Sequence, residues 1–146
     1  MPPFVPFASD DEILFIAEGL IERSLPKAAF THAAHFSAAL WLLTRHPVNE
    51  VQRDMPGLIR AFNEAVGGAN TATDGYHETI TQASIRAAAW FLAASQGRPL
   101  YATANALMAS PFGKPEWLLA FWSKPRLFSV EARRTWVEPD IQSLPF

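Results

Sequence analysis

Twelve of the 146 residues are proline, and they stand near the two ends of the chain and at the starts of apolar-periodic segments. Proline has no backbone N–H to give and disfavours helical geometry in the residue before it, so it punctuates helices and is kept out of sheet interiors. Pro26, Pro47, Pro99, Pro111 and Pro115 separate segments whose apolar residues recur at helical spacing. The first segment opens on Ser9-Asp10-Asp11-Glu12, a capping box, and continues with Ile13, Ile16, Ala17, Leu20 and Ile21 on one face. The second has Thr31 as a candidate N-cap and a stripe of His32, His35, Ala39 and Leu42, ending at His46-Pro47. The third, Asn49 to Val66, carries Val51, Met55, Leu58, Ile59, Phe62 and Val66, and Pro56 predicts a kink or a restart there with Asp54 as cap. Gly67-Gly68 stops it.

A fourth helix is expected from about Gly75 to Ser95, capped by Thr73 or Asp74. Shorter ones follow over Leu100 to Ser110, from Pro115, and from Ser129 to Trp136. No segment alternates cleanly between turn signals, so no sheet is expected. The fold class is therefore all-α: a single compact bundle of about six to seven helices over residues 1–146, with an N-terminal arm at 1–8 and an extended tail at 137–146.

Composition narrows the chemistry. There is no cysteine, which removes disulfides, thiolate metal sites and cysteine nucleophiles, and a cytoplasmic location is the simplest expectation. The opening residues lack the basic region and unbroken apolar core of a secretory signal. The longest apolar run, Ala87 to Ala94, is far below the roughly 20 residues that cross a bilayer, so no membrane partner is expected. Twelve basic against fourteen acidic residues give a formal charge of −2 with no basic stripe, which argues against nucleic acid. The stripe of Trp117, Phe121, Trp122, Phe128 and Trp136 is expected in the core.

Three of the four histidines lie at two predicted helix starts, Thr31-His32-Ala33-Ala34-His35 and Gly75-Tyr76-His77-Glu78-Thr79. Residues three apart on a helix are neighbours, so His32 and His35 can share one divalent metal ion (zinc, iron or copper), with His77 as a third ligand and Glu78 as base or fourth ligand. A histidine on an apolar helix face is also commonly a hydrogen-bonded core residue, and His46 at a helix end is expected to cap carbonyls. Thr81 stands where a zinc-protease helix needs its second histidine, and no Glu-x-x-His pair, nucleophile elbow, phosphate loop or dinucleotide fingerprint occurs.

The segments Leu25-Pro26-Lys27 through His35, Phe62-Asn63-Glu64, Asn70-Thr71, Gly75 to Thr79, and Ser123 to Asp140 resemble a family of small uncharacterised bacterial proteins with Thr-His-x-x-His and Gly-Tyr-His-Glu-Thr motifs. The resemblance implies a bacterial source and a compact helical fold, and brings no activity. Three functions follow from the residues. One is a metal-dependent enzyme, a hydrolase or oxygenase acting on a small molecule. Another is a non-metal pocket in which Thr31, Asn70, Thr71, Tyr76 and Arg126 hold an anionic metabolite. The third is a non-enzymatic module that uses its aromatic surface for a partner protein or a homo-oligomer.

Overall fold

Pro56 shows how this chain builds a helix against local preference. In the computed structural model, which describes residues 4–146, the third helix runs unbroken from Val48 to Ala65 with Pro56 inside it. Proline cannot donate to the carbonyl four residues back, here Gln52. The side-chain amide of Gln82 takes that place, donating to Gln52 O at 2.9 Å. The carbonyl is thus paired from a neighbouring helix, and Pro56 is buried. The helix therefore does not restart at Pro56. Asp54 is not a cap either: both its carboxylate oxygens face Arg53, at 2.8 and 2.9 Å.

Among the described residues the regular structure is all helix, with no strand. We number the helices α1 (Asp10–Glu22), α2 (His32–Arg45), α3 (Val48–Ala65), α4 (Glu78–Ala93), α5 (Leu100–Ala109), α6 (Lys124–Leu127) and α7 (Val130–Arg134). Short 3₁₀ turns at Lys27–Ala29, Pro111–Gly113 and Pro115–Ala120 lie between them. Ser9 stands at the N-cap of α1 as expected, but its side chain makes no cap bond, and Glu12 accepts from the amide of Ala8 instead. Among the described residues no helix is long and apolar enough to cross a membrane.

The bundle is centred on α2, which packs against α1, α3, α4 and α5. Its buried residues go nearly all the way round: Ala33, Ala34, Phe36, Ser37, Ala38, Ala39, Leu40 and Leu42. An apolar circumference of this kind marks an enclosed helix. Its alanines, with buried Ala83, Ala87 and Ala88 on α4, keep the α2–α4 approach free of bulk. Burying a side chain such as Leu40 or Phe36 contributes about 1.5–3 kcal/mol.

Residues 1–3 of the arm fall outside the described residues, but Phe7 is held by Asn105 through two bonds of 2.8 and 2.9 Å. Residues 137–146 are irregular, and Arg86 donates to Phe146 O at 2.8 Å. Trp117 and Trp122 are buried as expected. Phe128 is not, being 60% exposed at the end of a one-turn helix.

The Pro56–Gln82 pairing is testable in a double-mutant cycle. Gln82→Ala should cost about 1–2 kcal/mol, because it strands the Gln52 carbonyl. Combined with Pro56→Ala, which restores a backbone donor, the same substitution should cost less than about 0.5 kcal/mol in urea denaturation.

Candidate functional site

The segment Gly75 to Thr79 is built to turn sharply and then start α4. Gly75 has φ +83, and a β-carbon there would collide with the carbonyl oxygen of Ala69, so only glycine fits. The loop before it is knotted by Asn70, whose Oδ1 accepts from the Tyr76 amide and from Asn63, while its Nδ2 donates to Arg60 O and Glu64. Thr71 Oγ1 accepts from the amides of Thr73 and Asp74. Neither Thr73 nor Asp74 caps α4. The cap is the imidazole of His77, whose Nδ1 accepts from the Ile80 amide at 3.1 Å.

The other nitrogen of His77 is also committed. Nε2–H donates to Leu127 O at 2.7 Å. A carbonyl only accepts, so the ring is the neutral tautomer protonated on Nε2, with no lone pair left over. Burial lowers its pKa below the ordinary 6.5, with the Arg133 guanidinium adding to the shift. The expected metal triad therefore does not assemble: among the described residues no three His, Asp or Glu side chains are placed to hold an ion. The donor set does not fit a three-ligand site, because one of its members already carries two hydrogen bonds.

His32 and His35 differ from His77. The ring of His35 gives its Nδ1–H to Thr31 O at 3.0 Å, and His32 gives its Nε2–H to Phe112 O at 2.8 Å. Each keeps one nitrogen, His35 Nε2 and His32 Nδ1, without a partner among the described residues. Burial lowers the pKa of both below 6.5, so both are neutral acceptors at neutral pH. Phe30 stacks on His35 with ring centroids 3.8 Å apart and on Phe62 at 4.8 Å.

These rings line a cleft of about 690 Å³ between α2, α3, α4 and the loop before α4. Its walls are largely apolar, including Phe36, Met55, Ile59, Phe62 and Ile80. Asn63, Thr81 and Ser84 add polar points, and Lys27 and Asp74 also line it. His32, His35, Tyr76 and His77 all line this cleft, although the three histidines are not placed to hold an ion. Phe30, Asn63 and Ser84 were not foreseen as site residues. Phe30 shows no signal beyond being an apolar residue just ahead of the Thr31 cap.

The remaining predicted residues lie elsewhere. Glu78, the expected base, does not line the cleft, and its Oε1 accepts from the Tyr76 hydroxyl at 2.5 Å. Burial, reinforced by that carboxylate, raises the Tyr76 pKa well above its ordinary value, so the phenol stays protonated. Thr31 is spent on capping, accepting from the Ala34 amide at 3.2 Å. Arg126 is half-buried and donates to Glu138 O at 2.6 Å. Asn70 and Thr71 line a second, smaller cleft beside Tyr76. His46 does not cap carbonyls with its ring, which faces Glu50 at 3.5 Å.

The geometry defines an all-α helical domain with an apolar-walled cleft and two neutral imidazole acceptors. No protein-family model matches the chain, and neither a curated protein nor a solved structure matches it.

His77→Ala should destabilise the fold by about 2–4 kcal/mol, since it removes a helix cap and strands a buried carbonyl. His35→Ala should cost roughly 1 kcal/mol or less, mostly lost ring stacking. The pH dependence follows from the lowered histidine pKa values. The unfolded chain binds protons near pH 6.5 and the folded one only below that, so this stability is fully present above pH 6.5 and is lost as pH falls beneath it. Urea midpoints should drop from pH 7 toward pH 5, and less steeply in His35→Ala.

Proposed function

We propose that this protein binds a small, mostly apolar molecule that carries a hydrogen-bond donor, in the cleft between α2, α3 and α4. The observation that supports this reading is the combination of volume and lining. About 690 Å³ falls within the roughly 300–1,000 Å³ typical of small-molecule sites. The apolar walls, among them Phe36, Ile59 and Phe62, suit a flat apolar body, and Nε2 of His35, which has no partner among the described residues, supplies an acceptor for a hydroxyl or N–H. The protein's net charge and the scarcity of charged groups in the lining favour a neutral ligand.

The metal-dependent enzyme finds less support, because His77 and Glu78 are engaged with Leu127, Ile80 and Tyr76. The proposal keeps the cytoplasmic setting expected of a cysteine-free chain and the bacterial source implied by the motif resemblance. It requires neither a partner protein nor a second copy.

A matched pair of probes tests it: 1-naphthol, with one hydroxyl donor, and 1-methoxynaphthalene, without it. Titration followed by protein melting temperature should show binding of both, with the hydroxyl compound about 3–10-fold tighter. His35→Ala should bring the two to equal affinity. If neither probe binds, or if His35→Ala leaves the preference intact, the reading fails.

A further inference from the structure

Beside the large cleft, on another side of Tyr76, lies a small polar one of about 260 Å³. Three guanidinium groups line it: Arg60 from α3, and Arg133 and Arg134 from α7. We propose that this cleft binds a phosphate group, held by Arg60, Arg133 and Arg134.

The first argument is charge. Among the described residues the ion pairs are His46 with Glu50 and Arg53 with Asp54, so none of the three arginines is neutralised by a carboxylate. The acids nearby in sequence have other tasks: Glu64 accepts from Asn70, Glu78 accepts from Tyr76, and Asp74 lines the large cleft. In a chain of formal charge −2, three cations drawn from two distant segments around one cleft repel one another. A multiply charged anion between them relieves that cost.

The second argument is preorganisation. Arg60 lies over the Tyr76 ring, 4.5 Å from its centroid. Arg133 is anchored through Nη1 alone, at 2.8 Å from Gly75 O and 3.3 Å from Tyr76 O, which leaves Nη2 and Nε free. Thr71 also lines the cleft, and its Oγ1 already accepts two backbone amides, so its remaining capacity is as a donor. Guanidinium forks match phosphate oxygens in pairs, and several donors held ready lose little freedom on binding. The cleft is smaller than the roughly 300–1,000 Å³ of drug-sized sites, so it suits the phosphate itself or the phosphate end of a larger molecule.

Inorganic phosphate, phenyl phosphate and acetate are the probes, titrated at low ionic strength and followed by amide NMR shifts and calorimetry. Both phosphates should shift the amides of Asn70, Thr71, Arg133 and Arg134, and bind at least about tenfold tighter than acetate, with affinity falling as salt rises. Equal binding of the two phosphates assigns the free ion, and tighter binding of the ester assigns a phosphomonoester; either supports the proposal. Arg60→Gln and Arg134→Gln remove guanidinium groups that make no hydrogen bond within the described residues, so both should fold. Each should weaken phosphate at least tenfold while leaving 1-naphthol binding in the large cleft unchanged. The proposal is overturned if millimolar phosphate leaves those wild-type amides unmoved, if acetate binds as tightly, or if the two variants retain full affinity.

Discussion

One imidazole joins the two halves of this fold. His77 takes the Ile80 amide on Nδ1, which starts α4, and gives Nε2–H to Leu127 O, which fixes the end of α6. The same short segment makes further ties to the C-terminal region. Thr79 donates to Thr135 O and accepts from the Val137 amide, while Arg133 reaches back to the carbonyls of Gly75 and Tyr76. Trp122 then donates to Val137 O from its buried position. All of this requires His77 to be neutral, because an imidazolium has no lone pair for the Ile80 amide. Burial, which lowers the pKa, and the hydrogen-bond pattern therefore act in the same direction.

Once that segment is anchored, the clefts follow from where it lies. Gly75 and the Asn70 knot hold the loop against the end of α3, and Tyr76 becomes a wall shared by a large apolar cleft and a small cationic one. The alanines of α2 and the Gln82 bond across to α3 set the helices that form the other walls. The side chains of His32 and His35 face this space with one unpaired nitrogen each, because the helix start at Thr31 consumes only one nitrogen of His35 and the Phe112 carbonyl only one of His32.

The sequence was most informative about helices. Periodicity and caps located α1, α2 and α5 closely, and Ser129 caps α7 as expected, accepting from the Ala132 amide. It misled where a distant residue supplied what local chemistry lacked. Pro56 reads as a break until Gln82, on the next helix, takes the stranded carbonyl. Histidine is an uncommon N-cap, so Thr73 and Asp74 were the natural choices for α4. For the site, the helix starts at Thr31 and His77 drew notice to His32, His35 and His77, which line one cleft without forming a group that could hold an ion. Their roles were not, since whether a ring nitrogen is free depends on carbonyls at Phe112 and Leu127, far along the chain. Arg60, Arg133 and Arg134 gave no basic run in the sequence; α3 and α7 bring them together only on folding.

The central claim is that His77 is a saturated structural clamp while His32 and His35 keep free acceptors. Long-range proton–nitrogen NMR of the histidine rings, recorded above pH 7 with and without zinc, tests it directly. The account predicts three neutral rings, with His32 and His77 protonated on Nε2 and His35 on Nδ1, and no response of His77 to zinc. A His77 ring that titrates near pH 6.5, or whose nitrogen signals move when zinc is added, contradicts it.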